Sequence, residues 1–246
     1  EPPGWVKGNT VNPPCHWIMA KTLESCNLKP AMRLIYLLLI ASSLASPADD
    51  WPQWFGPRHD GVWRETGILE KFPEGGPKVL WRTPIRRGYA GPAVAGTRVY
   101  LMDREVDRSA GAKRESARTG AQAGKERLLC LEAASGKIVW EKSYDCAYTM
   151  SYPAGPRVTP LIEGERVYTL GAEGLLMCRS TMDGRKLWQH DFKERFQART
   201  QTWGFAASPL IHGDLLICLA AGDGTTTVAF HKETGKEVWR ALSAGQ

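Results

Sequence analysis

Cysteine is scarce in this 246-residue chain: there are six, none next to another and none at Cys-x-x-Cys spacing, so dithiol redox chemistry and sulfur-rich zinc sites have no framework. Histidine numbers five, and His59, His190, His212 and His231 are scattered over turns and strand ends, which predicts no metal cluster. No His-Glu-x-x-His, Walker loop or Gly-x-Ser-x-Gly occurs. Long apolar runs are also missing. The one hydrophobic stretch, inside Met32–Ala45, is too short to span a bilayer, so no transmembrane segment is expected. Nor is there a large excess of one charge, since 32 Lys and Arg against 26 Asp and Glu leave +6.

Half of that excess lies between Arg104 and Arg127, where seven basic residues meet four acidic ones in a stretch rich in Gly, Ala and Ser. It predicts a mobile surface insertion in the first repeat. With no aromatic residues interleaved among its charges, it gives no reason to expect a nucleic-acid partner.

What the sequence does contain is a turn that recurs three times and closes on tryptophan. The copies are Leu131–Trp140 (LEAASGKIVW), Arg179–Trp188 (RSTMDGRKLW) and Phe230–Trp239 (FHKETGKEVW). The tryptophans stand 48 and 51 positions apart, near the spacing of roughly 40 to 50 residues typical of propeller blades. Ahead of each turn runs a Pro-containing strand start, a Gly-centred turn and an aliphatic run: 91–102, 159–170 and 208–219. Each unit therefore reads as four antiparallel strands joined by hairpins. The expected fold is all-β, a β-propeller with three full blades at about 88–142, 153–191 and 204–241, plus one outer strand carrying Trp81. Gly136, Gly184 and Gly235 complete the tight turns, and Trp140, Trp188 and Trp239 carry indoles onto neighbouring sheets. A blade cannot cover both of its faces, so stacking is what buries the core.

These turns approximate Ala-x-Asp-x-x-Thr-Gly-Lys-x-x-Trp, the tryptophan-docking motif. From about Trp51 onward the chain resembles the PQQ-like β-propeller family, which includes quinoprotein alcohol dehydrogenases and the assembly factor BamB. The match is best at Gly and Trp and poorest at the acidic slot, occupied by Glu132, Ser180 and His231. The resemblance implies either a non-catalytic scaffold for protein partners or envelope components, or a dehydrogenase using PQQ and Ca²⁺ on an alcohol or sugar. Members of the second kind hold their quinone against a ring of adjacent cysteines and bind calcium through oxygen ligands. This chain has no Cys–Cys pair, and only Asp145, Glu173 and Asp223 are candidate acidic ligands. The sequence therefore points to the scaffold, with no catalytic residue, metal or cofactor assigned.

In a propeller the loops leading into the first strand of each blade converge on one mouth. Here they place Arg87 and Tyr89, Tyr152 and Arg157, and Trp203 and Phe205 together, a lining suited to a small anionic, planar or sugar-like ligand. The alternative is that these aromatics plug the channel while Arg157 bonds a backbone carbonyl. The Trp51–Gly61 segment, within a strap over 46–75, is expected to pack its indoles on the blade wall or to bind carbohydrate. Cys130, Cys146, Cys178 and Cys218 read as small core residues, with disulfides as the alternative. Residues 32–45 have the layout of an export signal, residues 1–31 look like an upstream extension that is not native, and the propeller is expected to continue past Gln246. The expected location is the periplasm or cell exterior.

Overall fold

The structure, a computed structural model, describes residues 49–109, 111–113, 116 and 120–242. The signal-like segment 32–45 and the upstream stretch 1–31 lie outside the described residues. Three four-stranded antiparallel sheets follow one another along the chain. The first comprises β1 (Ala93–Ala95), β2 (Arg98–Val106), β3 (Gly124–Glu132) and β4 (Ile138–Asp145). The second comprises β5 (Leu161–Glu163), β6 (Arg166–Leu170), β7 (Leu175–Ser180) and β8 (Lys186–Asp191); the third, β9 (Leu210–His212), β10 (Leu215–Gly222), β11 (Thr225–His231) and β12 (Glu237–Ala241). In all three the strand order is the chain order, so each sheet is an all-β meander of the blade type that the repeats predict. No helix among the described residues is long and apolar enough to cross a membrane.

The repeat is exact at the level of hydrogen bonds. In every blade a register shift precedes the docking turn, after Cys130, Cys178 and Ala229, and these three residues pair with Trp140, Trp188 and Trp239. The turn glycine N–H donates four residues back, to Glu132, Ser180 and His231. Gly136, Gly184 and Gly235 sit at φ of 70°, 70° and 69°, where a side chain is strained. A second demand acts on the same glycines. The Trp140 indole lies against Gly184 of the following blade and donates from Nε1 to Thr181 O at 3.0 Å; Trp188 lies against Gly235 and donates to Lys232 O at 3.2 Å. Trp239 is exposed.

Two clusters of apolar side chains fill the spaces between sheets. Tyr100, Met102, Leu128, Cys130 and Trp140 meet Ile162 and Val167 between blades one and two, while Leu170, Leu176, Phe192, Phe196, Leu216 and Phe230 join blades two and three. The helix α1 (Phe192–Phe196), capped by Asp191, inserts its two phenylalanines into the second cluster. The four described cysteines are free thiols. Burial pushes the Cys178 thiol up to about 12, consistent with small core residues rather than reactive ones.

Three expectations need correction. The Arg104–Arg127 stretch is not an insertion throughout: its ends are strand, and β2 and β3 pair from Arg98–Glu132 to Val106–Gly124. The pattern misled because charged residues stand where apolar ones would normally fill the sheet. Asp103, Arg104 and Glu126 are all buried, and Asp103 is satisfied by Arg127 at 2.6 and 2.7 Å. Trp81 lies in no strand. Its indole nonetheless covers Gly136 and donates to Ala133 O at 2.8 Å, so the docking contact forms without sheet pairing, because Thr83 Oγ1 bonding Gly136 O at 2.6 Å holds the segment in place. The strap also packs less completely than expected. Trp51 bridges Val94 of β1, but Trp54 and Trp63 remain exposed.

Candidate functional site

Antiparallel order puts the turns between the first and second and between the third and fourth strands of every blade at one end of the sheets. The opposite end carries the connections β2–β3, β6–β7 and β10–β11 and the linkers between blades. Those linkers hold the residues nominated for the mouth, and most of them do meet. Tyr152 and Trp203 stack with ring centroids 4.9 Å apart and planes at 25°, while Ser151 N donates to Thr202 O at 3.0 Å and ties their two linkers together. Both rings face solvent, at 62% and 58% exposure. Tyr152 holds φ at 54°, a conformation that costs a non-glycine residue about 1 kcal/mol or more and fixes its ring direction. Beside it, Gly204 at φ 75° lies against Met150 Sδ and Ala172 O, where no side chain fits.

Arg157 takes the second of the two roles that the sequence offered it. It donates to the Gly155, Tyr152 and Ser151 carbonyls, the second at 2.8 Å and the third at 3.3 Å, with its guanidinium 5.2 Å from the Tyr89 ring centre. It therefore shapes the 151–157 loop, the carbonyl-bonding alternative raised by the sequence. Tyr89 is anchored through its N–H to Pro156 O at 2.8 Å. Arg87 remains exposed and lines a cleft of about 560 Å³ with Tyr89 and Tyr152 on one wall and Arg108 and Lys113 on the other. Phe205 does not belong to the mouth. At 5% exposure it packs against Gly174 and Phe192, because its linker turns inward after Gly204 to join the core of blades two and three.

Beneath this surface lies a polar network that sequence reasoning missed. The Arg104 guanidinium stacks 3.8 Å above the Tyr148 ring and donates to Gln122 Oε1 at 2.6 Å, Gln122 O at 2.5 Å and Pro153 O at 2.9 Å. Glu126 on β3 accepts from the Tyr144 and Tyr148 hydroxyls and, across the blade boundary, from Ala172 N at 2.9 Å. Burial pushes the Glu126 carboxyl above its ordinary value, against the lowering pull of those donors and of Arg104. Gly171 is required here, since a side chain would overlap the Tyr144 hydroxyl and the Glu126 carboxylate. The only sequence sign of this network is the two charged runs Asp103–Glu105 and Lys125–Arg127 within otherwise apolar strands, which also fit a solvated strand end.

The three acidic residues weighed as calcium ligands do not converge. Asp145 is exposed and pairs with Lys125 at 3.8 Å. Glu173 accepts from Lys193 at 2.9 Å, Thr200 at 2.5 Å and Thr149 N at 3.0 Å. Burial raises its carboxyl, and these donors more than reverse that, leaving it below the ordinary value. Both of its oxygens are committed, so they suit a bracket between linkers and do not fit a calcium site. Among the described residues no group of three or more His, Cys, Asp or Glu is placed to hold a metal ion.

A family model described as outer membrane protein assembly factor BamB matches residues 124–246. Quinohemoprotein alcohol dehydrogenase from Comamonas testosteroni is similar over 82% of this chain and 28% of its own, at 14% identity and a TM-score of 0.50, a likeness of fold. BamB from Moraxella catarrhalis covers 50% of this chain and 33% of its own at 20% identity and TM-score 0.33. Quinohemoprotein alcohol dehydrogenase ADHIIG from Pseudomonas putida HK5 covers 67% and 22% at 18% identity and TM-score 0.43. No curated protein sequence matches. The chain thus spans between 22% and 33% of the length of these solved proteins. Matched over half its length by the family's model, and built of three blades whose repeated turns receive the indole of the unit before, the chain belongs to the PQQ-like β-propeller family.

Proposed function

We propose that the chain serves as an exported, non-catalytic binding module that presents its mouth loops to a protein partner of the cell envelope. The observation that carries this reading is the exposed Tyr152–Trp203 stack on two linkers bonded to one another. Large aromatics held rigid before binding lose little entropy on contact and dominate interface energies. The neighbouring cleft, with Arg87, Arg108 and Lys113, favours a segment whose apolar anchor is flanked by acidic residues. Arg157 and Glu173 are spent on holding the loops, which suits a rigid platform better than a reacting centre. The matched family model bears the name of an assembly factor, in keeping with such a role. Export is inferred from the layout of Met32–Ala45.

Selection of a displayed peptide library on the immobilised full chain tests this. Aromatic residues flanked by Asp or Glu are expected to be enriched, and the Tyr152→Ala/Trp203→Ala variant should bind the selected peptides about 30-fold or more weakly, the effect of losing a hot spot. Peptides retained equally by that variant would overturn the reading. So would dye reduction by the full chain with PQQ, Ca²⁺ and a simple alcohol.

A further inference from the structure

The strap carries an aromatic side chain into a pocket that the mouth does not share. Asp50 accepts from Gly96 N at 2.7 Å, Trp51 exchanges two backbone bonds of 2.9 Å with Val94, and Ile162 N donates to Pro52 O at 2.8 Å. The strap thus runs along the first strands of blades one and two. It then folds into a tight loop, with Gly56 N on Gln53 O, His59 N on Gly56 O and Gly61 N on Phe55 O. Phe55 and His59 hold positive φ of 62° and 57°, strain that two positions of one short loop retain only where the surroundings fix them. Gly56, also at positive φ, leaves room for the Trp51 ring, which would otherwise overlap a side chain at 2.9 Å.

This loop closes a pocket of about 180 Å³ lined by Gln53, Trp54, His59, Thr159, Leu161, Ser208, Pro209 and Leu210. Thr159–Pro160–Leu161 and Ser208–Pro209–Leu210 are the same slot of two successive repeats, so the repeat itself brings blades two and three together at this pocket. Three features define the ligand. The Trp54 ring is 51% exposed, a flat apolar face. Hydroxyl, amide and imidazole groups of Ser208, Gln53 and His59 edge it. Finally, no Asp, Glu, Lys or Arg lines the pocket, in contrast to the basic cleft at the mouth.

We infer that this pocket between the strap and blades two and three binds one ring of a neutral sugar, stacked on Trp54 with its hydroxyls bonded by Ser208, His59 and Gln53. A stacked apolar face edged by uncharged hydrogen-bonding groups matches a pyranose, whose C–H face and hydroxyl rim differ in the same way. The absence of charge in the lining discriminates against anions, which would be desolvated there without a counter-ion. The volume, roughly that of six waters, admits a single ring rather than a chain buried along its length.

Saturation-transfer NMR and calorimetry on the full chain with glucose, galactose, mannose, N-acetylglucosamine and glucuronate test this. At least one neutral sugar should bind saturably, with a Kd of about 10 mM or tighter. Trp54→Ala should weaken binding about tenfold or more, Trp54→Phe should retain most of it, and Ser208→Ala should lose several-fold by leaving a ligand hydroxyl unpaired. Trp203→Ala should leave sugar binding unchanged, which separates this pocket from the mouth. Unaltered melting temperatures would show that the variants fold. No binding of any of the four neutral sugars up to about 100 mM, equal binding by folded Trp54→Ala, or preference for glucuronate would each overturn the assignment.

Discussion

Replacing Gly184 with alanine is expected to lower stability by about 4 kcal/mol and the melting temperature by roughly 8–16 °C. Two costs meet at this residue. Its φ of 70° is a left-handed conformation that penalises any side chain by about 1–2 kcal/mol. The added Cβ would also stand 2.8 and 2.9 Å from the Trp140 ring and 2.7 Å from Lys142 Cγ. Lys142 is exposed and can swing away. Trp140 cannot move without stretching its bond to Thr181 O and loosening the seam between blades one and two, an overpacking cost of about 1–3 kcal/mol. Gly164, at the tip of the β5–β6 hairpin, separates the two costs: it too has positive φ, at 55°, but its Cβ would meet nothing within 4 Å. Gly164→Ala should therefore cost only the conformational part, about 1 kcal/mol. Combining Gly184→Ala with Trp140→Leu should destabilise less than the sum of the single changes, because the smaller side chain relieves the overlap. Equal melting temperatures for the Gly164 and Gly184 variants would show that the indole seam contributes little.

That seam is the part of the molecule most legible in the sequence, and the reason is physical. A repeated contact needs the same residue types at the same spacing, so Gly136, Gly184 and Gly235 announce themselves together with the indoles that cover them. Strand number and order followed from the same periodicity. The mouth was partly legible, since the linkers before each blade must share one end of the sheets, and Tyr152 and Trp203 do meet. Phe205, two residues past Trp203, was misplaced because periodicity fixes strands but not where an irregular linker turns inward. For Arg157 the sequence raised both a ligand-facing and a carbonyl-bonding role and the structure has the second, but no sequence pattern reveals how many carbonyls a loop folds around a guanidinium. The least legible feature was the Arg104 and Glu126 network. Consecutive charges such as Asp103–Glu105 and Lys125–Arg127 normally mark solvated chain, and only the neighbouring blade, with Ala172 N and the nearby tyrosines, turns this stretch into an interior.

Glu126 yields the second large effect. Glu126→Ala should cost about 4 kcal/mol, because it leaves the Tyr144 and Tyr148 hydroxyls and Ala172 N buried without an acceptor and removes one of the acidic groups acting on Arg104. Glu126→Gln keeps an acceptor oxygen and an uncharged side chain, so it serves to isolate the charge. Burial holds the carboxyl of the folded protein above the ordinary 4.5, so folding favours its protonated form. A raised folded-state value contributes stability that is complete below the unfolded value and is lost as pH rises through the folded one. Glu173 acts with the opposite sign: held low by Lys193 and Thr200, it contributes above its unfolded value and loses that contribution on acidification. It is present in both proteins, so it cancels in their difference. Urea unfolding of wild type and Glu126→Gln from pH 4 to pH 9 should therefore show wild type losing ground to the glutamine variant as pH rises above about 4.5. If wild type gained on the variant over that range, the carboxylate would instead be stabilised as an ion by Arg104 and the two tyrosine hydroxyls. The contact between β3 and Ala172 would then join blades one and two as a charged bridge rather than a neutral one.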